Sequence, residues 1–329
     1  MQTEKKSYFG LQALSLIYAL VVNIWFFMQI LSGDQYWWVY MINIVAIYLF
    51  IPFFGQLIAA IWSKKALIWA SMLVVALIWA YYFGAFFIPK NDTIIPKKSI
   101  TLMTSNVLTG RKNPEAFISS LIRSNADVIA FQELNSELAN AIRIELDELY
   151  PYQTLKSSVG FDGMGIISKY PLTVERNTYR ASWPVGFPQI VTIDADGYIF
   201  RLINFHAQPP EIAPEAALLF NNIRNEEAQE LLVLASQDNT PTILLGDLNA
   251  TAQNDAYRII TTAFSDVWKE KGYGLGHTKT NPLETLPPQW LARIDYIFHS
   301  SDLYTLSAEI GPWDTYSDHR PVIAEIGFR

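Results

Sequence analysis

The chain contains no cysteine, which excludes disulfides, thiolate catalysis and cysteine zinc sites, and which an oxidising compartment would tolerate without being required by it. Histidine is scarce too, with four in 329 residues and no His-x-x-x-His pair, so a zinc centre is disfavoured. Charge is nearly missing from residues 1–89, where only Glu4, Lys5, Lys6, Asp34, Lys64 and Lys65 carry it. Residues 90–329 therefore hold 20 of 24 basic and 29 of 31 acidic side chains, a balance of −9. So acidic a domain is poorly suited to gripping long nucleic acid, whose non-specific affinity comes mainly from Lys and Arg on phosphates. Nucleic acid is thus a disfavoured partner, while a small phosphorylated substrate held through a metal stays open.

In place of charge, the N-terminal part carries three apolar runs, Tyr8–Leu31, Tyr36–Trp62 and Ala66–Pro89, of 24, 27 and 24 residues. Each exceeds the roughly 20 residues a helix needs to cross a bilayer, so three transmembrane helices are expected. Trp37, Trp38, Trp62, Tyr81 and Tyr82 fall near their ends, where amphipathic rings favour the interface, and Pro52 should kink the second. A cleaved signal peptide does not fit, because the first run is too long and two more follow it. Nor does a soluble bundle, which would need a polar stripe on each helix. Lys5 and Lys6 precede the first run and Lys64 and Lys65 separate the second from the third, while only Asp34 lies between the first two. Positive residues stay inside, so the N-terminus is expected in the cytoplasm and the domain after Pro89 outside it, in a multi-pass protein of the cytoplasmic membrane. Lys90, Lys97 and Lys98 oppose this orientation. Residues 90–99 read as a short linker that keeps the following domain near the lipid.

From Ile100 the pattern turns to short apolar strands separated by polar helices. Strands are expected at Ile100–Asn106, Asp127–Gln132, Gly165–Ser168, Ile190–Asp194, Tyr198–Phe205, Thr242–Leu245, Arg293–Phe298 and Val322–Ile326. Asn113 and Pro114 read as the cap and first turn of a helix through Ile122, and Ser136–Leu149 and Glu215–Ser236 as two more. Asp196-Gly197 is a strong two-residue hairpin signal, so part of the sheet should be antiparallel. This order argues for two sheets packed face to face with helices outside, rather than a doubly wound parallel sheet.

Polar side chains recur where the strands stop: Asn106, Glu133, His206, Asp247 and Asn249, with Asp318 and His319 just before the last strand. Taken singly, each has an ordinary reading as a cap, a turn residue or a core histidine. Taken together they describe a site on the loops of a rigid core. In TILLGDLNA, Thr242–Ala250, Gly246 would let the backbone turn, and alternation along an extended chain would point Asp247 and Asn249 the same way. Asn106, Glu133 and Asp318 offer oxygens suited to Mg²⁺ or Mn²⁺. His206 and His319 can move protons near neutrality, and Asp295 could hold His319 in its working tautomer. His277 and His299 read as loop or surface residues. The set suits metal-assisted hydrolysis of a phosphoester.

Asn106, the QE of AFQEL, GMGIISKYPL, His206, GDLN, RIDYIF and SDHRPV resemble, in order and spacing, the endonuclease/exonuclease/phosphatase superfamily, over about Ile100 to Arg329. That superfamily includes deoxyribonuclease I, abasic endonucleases, sphingomyelinases and inositol polyphosphate phosphatases. The resemblance implies a four-layer α/β sandwich with two mainly antiparallel central sheets and a divalent-metal-dependent phosphodiesterase or phosphatase. It implies that Asn106, Glu133 and Asp318 hold the metal and that Asp247 and Asn249 orient nucleophile and phosphate. His319, paired with Asp295, would be the base, and His206 would act as acid or stabilise the transition state. No acidic partner for His206 is evident, and the abasic endonucleases replace this histidine. Three spans before such a domain, with GYGLGHT ahead of RIDYIF, look similar to membrane-anchored bacterial members of the teicoplanin-resistance type, although Lys279 and Thr280 stand where that group carries an aromatic residue and a proline. The expected substrate is a phosphorylated lipid or lipid-linked carrier at the outer membrane surface. An extracytoplasmic nuclease and a non-catalytic membrane sensor are the alternatives.

Overall fold

Two six-stranded mixed sheets form the centre of the domain that follows the apolar runs. In the computed structural model, residues 2–90, 95–108, 114–281, 289–313 and 316–329 are described, with side chains from Gly10 onward. Asn113, residues 91–94 of the linker and the side chains of Lys5 and Lys6 lie outside them.

The first sheet runs in the order Leu303–Ile310, Val322–Phe328, Ser99–Asn106, Val128–Gln132, Met164–Ser168, Tyr152–Lys156. The second runs Leu172–Val174, Gln189–Ala195, Tyr198–His206, Thr242–Asp247, Asp295–His299, Ser265–Asp266. Their facing sides share one core, where Leu102, Val128 and Ile166 meet Val191, Leu202 and Ile243. Helices Glu115–Ser124 and Ser136–Glu145 cover the outer face of the first sheet through Phe117, Leu121, Leu138 and Ile142. Pro214–Ala235 and Asp255–Ile260 cover the second through Ala228, Leu231 and Tyr257. The expected four layers are therefore present, because each sheet has one apolar face for its partner sheet and one for helices. Asp196 (φ 59°) and Gly197 (φ 90°) make the expected turn between Gln189–Ala195 and Tyr198–His206, with both central residues left-handed.

Each sheet contains one parallel pair, Ser99–Asn106 with Val128–Gln132 and Tyr198–His206 with Thr242–Asp247. Parallel neighbours end together: Asn106 pairs with Gln132, and His206 with Asp247. Asp295 opens an antiparallel strand opposite Asp247. Register alone thus brings the strand-end polar residues to one end of the sandwich. Strands Tyr152–Lys156 and Leu303–Ile310 were not legible in the sequence: the first is an edge strand with no apolar alternation, and the second is polar on its open side.

Three helical stretches are long and apolar enough to cross a membrane, Gly10–Gln35, Ala46–Ser63 and Ala66–Phe87. Only 28% of the most apolar window of each is buried, and the outward Leu14, Ile17, Phe27, Phe54, Leu73 and Leu77 form an exposed apolar surface that suggests membrane anchoring. The expected second span is corrected: Tyr36–Trp62 is not one helix. Trp37–Ile44 is a separate helix, a 3-10 turn covers Ala46–Phe50, and Phe53–Ser63 resumes after Pro52, whose ring and missing N–H prevent a continuous ladder.

The stretch from Gln29 to Asn43 docks on the sheet domain. Asp34 is fully buried: its Oδ2 accepts from the backbone N–H of Asp255 (2.7 Å) and both its oxygens accept from Asn254 Nδ2. It thereby caps helix Asp255–Ile260 from another part of the chain. Asn43 Nδ2 donates to Asp34 Oδ1 (2.6 Å), Thr251 Oγ1 donates to the Asn43 carbonyl (2.7 Å), and Gln29 Nε2 donates to the Gln253 carbonyl (3.1 Å).

Candidate active site

Asp247 is the hinge of the site. Gly246 before it does not make a turn, as the sequence suggested, but allows close contact: at φ 149° an added Cβ would lie 1.9 Å from the Phe205 carbonyl of the parallel neighbour. Asn249 converges with Asp247 for a different reason than alternation. The strand stops at Asp247, Asn249 is left-handed (φ 52°), and its backbone N–H donates to Asp247 Oδ1 (2.8 Å) while its Nδ2 donates to the Ala207 carbonyl (2.9 Å).

On one side of Asp247, Asn106 Nδ2 donates to both Glu133 Oε1 (2.9 Å) and Asp247 Oδ2 (3.0 Å), and Asn106 Oδ1 accepts from the Leu108 N–H. In this orientation Asn106 bridges two carboxylates instead of turning its oxygen to the site. Glu133 sits at the end of its strand in the left-handed region (φ 57°), which aims its carboxylate inward. His206 Nε2 lies 3.8 Å from both Glu133 Oε1 and Asp247 Oδ2. The Nδ1–H partner of His206, for which no acid was evident in the sequence, is the backbone carbonyl of Phe161 (3.2 Å), a contact that no side-chain motif can announce.

On the other side, His319 Nδ1 donates to Asp295 Oδ2 (2.8 Å), which leaves Nε2 facing the cluster, 3.9 Å from Asp247 Oδ2 and 3.8 Å from Asp318 Oδ1. Burial and the neighbouring Asp295 push the Asp247 carboxyl above its usual range. Burial works against a charged His319, but Asp295 outweighs it and holds the imidazole above its ordinary value. Burial also opposes ionisation of Asp318, yet His319 and Lys279 prevail and keep its carboxyl below the usual range.

Every candidate residue is thus gathered at one place: Glu133, His206, Asp247, His319 and Asp318 form a continuous series, with Asn106, Asn249 and Asp295 bonded to it. Among the described residues Asp247, Asp295 and His319 offer three ligand atoms within 4.8 Å of one another, beside the expected set of Asn106, Glu133 and Asp318. The donor set fits a hard divalent cation: carboxylate oxygens dominate, and the buried atoms His206 Nε2, Asp295 Oδ1 and Asp318 Oδ1 make no hydrogen bond among the described residues.

Several supporting residues escaped sequence reading. Gln132 Nε2 donates to Asn204 Oδ1 (2.6 Å), joining the two sheets under the site. Ser317 Oγ donates to the Asn106 carbonyl (2.7 Å) and accepts from the His319 N–H (3.0 Å). Thr278 Oγ1 accepts from the N–H groups of Ile294 and Asp295, and Lys279 Nζ reaches Asp318 and His319. His299, read as a surface residue, is buried in its strand with Nε2 3.0 Å from Glu270 Oε2 and 3.1 Å from Thr305 Oγ1, remote from this cluster in its bonding.

Two facing mixed sheets with acids and imidazoles gathered where their parallel pairs end define a phosphoester-hydrolase fold. The endonuclease/exonuclease/phosphatase family model matches residues 103–319, and the chain belongs to that family. Solved structures agree on the fold. A family protein from Bacteroides vulgatus is 20% identical with a TM-score of 0.55, over 71% of this chain and 100% of that one. D. rerio TDP2, complexed with a single strand DNA product, is 17% identical with a TM-score of 0.55, over 70% and 100%. The human Nocturnin catalytic domain, with bound sulfate, is 15% identical with a TM-score of 0.53, over 71% and 97%. A comparison with curated proteins finds no match.

Proposed function

We propose that this protein is a membrane-anchored, divalent-metal-dependent phosphohydrolase acting on a phosphorylated lipid or lipid-linked carrier at the outer face of the cytoplasmic membrane, akin to the teicoplanin-resistance branch of its family. The observation that carries this reading is the junction: Thr251–Asp255, the segment directly after Asp247 and Asn249, is fastened to Gln29, Asp34 and Asn43 of the apolar N-terminal part. Such fastening would keep the catalytic cluster within reach of the bilayer surface, where confinement raises the effective concentration of a lipid substrate. A second support is an apolar cleft of about 460 Å³ lined by Ile47, Tyr48, Phe50, Phe54, Ala76 and Trp79. Tyr48 links it to the domain, its hydroxyl donating to the carbonyls of Trp290 and Leu291 at 3.0 Å.

The orientation follows from charge. The segment holding Asp34 and the end of the third span, where the Gly274 N–H donates to the Phe86 carbonyl (2.7 Å), both meet the sheet domain, which supports a reading with the two on one side of the bilayer. Lys64 and Lys65 belong to the opposite turn, and positive residues favour the cytoplasm.

In the reaction, His319 Nε2 takes a proton from water as the water oxygen bonds to phosphorus, and the bond from phosphorus to the leaving oxygen breaks. Asp295 holds the imidazole tautomer and steadies the imidazolium that forms. His206 Nε2 faces the same space to donate to the leaving oxygen or to the phosphate. A divalent cation held by Glu133, Asp247 and Asp318 would neutralise phosphate charge and acidify the water.

The test uses full-length protein in detergent with Mg²⁺, assaying phosphate release from an isoprenyl diphosphate and from phosphatidic acid beside nicking of plasmid DNA. Lipid hydrolysis abolished by Asp247→Ala is expected; nicking without lipid hydrolysis would replace this reading with a nuclease.

A further inference from the structure

We infer that Lys279 is a phosphate-binding catalytic residue that selects doubly charged phosphates, monoesters or terminal diphosphates, over singly charged diesters; this rests on the phosphohydrolase reading above. Lys279 belongs to a two-residue strand, Lys279–Thr280, paired with Trp290–Ala292 and bridged to His319. Its position is set by backbone bonds on both sides. The Thr280 N–H donates to the Asp318 carbonyl (2.9 Å) and the Arg320 N–H donates to the Thr278 carbonyl (2.8 Å). The same segment steadies Asp295 through Thr278 Oγ1, which accepts from the Asp295 N–H (3.2 Å). The ammonium is thus delivered to the base by the fold, and not by a wandering surface chain.

Its contacts carry the argument. Nζ is ion-paired with Asp318 Oδ2 and donates to His319 Nε2 (3.1 Å). In the neutral ring, whose Nδ1 donates to Asp295, Nε2 has a single lone pair, and Lys279 Nζ, 3.1 Å away, occupies it. A base in that state cannot accept a proton from water, so the ammonium must turn away when the reaction occurs. A phosphate oxygen is the acceptor that would draw it. Lys279 has room to move, its side chain being 28% exposed against 3% for His319.

Charge balance gives the selectivity. Glu133, Asp247, Asp295 and Asp318 converge here, and among the described residues Lys279 is the one lysine or arginine in contact with them at this cluster. A phosphate with two negative charges gains more from that cation than a diester with one, and suffers more from the acids without it. Arginine substitution should keep the charge while altering its geometry.

The decisive experiment titrates full-length protein in detergent with inorganic phosphate in the presence of Mg²⁺, following heat. Lys279→Gln should weaken phosphate about tenfold, the scale of one partly exposed charge-assisted contact, and Lys279→Arg should recover most of the loss. In parallel, the ratio of kcat/KM for p-nitrophenyl phosphate to that for bis(p-nitrophenyl) phosphate should fall about tenfold in Lys279→Gln, with diester turnover changed much less. Unchanged phosphate affinity, or no phosphate binding by the wild type, would overturn the contact. Equal losses on both esters would overturn the selectivity. If the wild type cleaves neither ester, the phosphohydrolase reading fails while the titration still decides the role of Lys279. Should Lys279→Gln not fold, Lys279→Met, which keeps the stem, carries the same comparison.

Discussion

Buried charge occurs in two neighbouring places with opposite character. At the junction, both oxygens of Asp34 are taken, by Asn43, Asn254 and the Asp255 N–H, and nothing on that carboxylate is left over. At the catalytic cluster, His206 Nε2, Asp295 Oδ1 and Asp318 Oδ1 are buried without a hydrogen bond among the described residues. The two are only a few residues apart in sequence, Asn249 belonging to one and Thr251 to the other. A satisfied network fixes geometry, whereas unsatisfied polar atoms in a structured pocket store the capacity to bind and react. The difference assigns structure to Asp34 and chemistry to Asp295, although both are buried acids.

The sharpest way to break this contrast is at the cluster. Asp247→Ala or His319→Ala should lower phosphate release by about 10³-fold or more while leaving the melting temperature within a few degrees of the wild type. A large stability loss with normal turnover would reverse the assignment. Chelation belongs to the same side: EDTA should abolish turnover, Mg²⁺ or Mn²⁺ should restore it, and the junction's resistance to proteolysis should not change.

Substitution at the junction should do the opposite. Asp34→Ala strands the side chains of Asn43 and Asn254 and the N–H of Asp255, and should cost about 2–4 kcal/mol in thermal or denaturant unfolding. Its turnover on a soluble p-nitrophenyl ester should survive better than on a bilayer lipid. Equal losses on both would show that the junction supports the catalytic geometry itself rather than its placement.

Glu227 is the intermediate case, and its effect should show only as a pH dependence. One of its oxygens accepts from the Gln208 N–H (2.8 Å), two residues beyond His206, and the other makes no hydrogen bond among the described residues. Burial pushes its carboxyl up to about 8. The folded state therefore keeps a proton that the unfolded chain releases near the ordinary carboxylate value, so this contribution to stability is complete below that value and is lost as pH rises through about 8. Unfolding measured from pH 5 to 9 should show a decline on the order of a few kcal/mol that Glu227→Gln flattens. A pH-independent difference between the two proteins would remove Glu227 from the comparison.

Reading the sequence located the cluster well and explained parts of it poorly. GDLN and SDH supplied Asp247 and His319, but Asn249 converges through a left-handed turn and Gly246 serves a parallel neighbour, neither of which a local pattern contains. Lys279 was visible only as a departure from a resemblance. Its contact with His319 depends on a strand of two residues, too short to leave any periodicity. Asp34 was legible as a lone charge between apolar runs, and its partners, some 220 residues further on, were not.

By itself, then, the order of residues determined the apolar N-terminal runs, the alternation of short strands with helices, the family, and which polar side chains stand where strands end. These follow from local chemistry: hydrophobic period, turn residues and run length act over a few neighbouring positions. Only the tertiary structure decided that the second run breaks to grip the domain, that Asn106 bridges two acids, and that an ammonium rests on His319. Those outcomes depend on strand register and on close approach between distant segments, where a shift of one residue would exchange every partner.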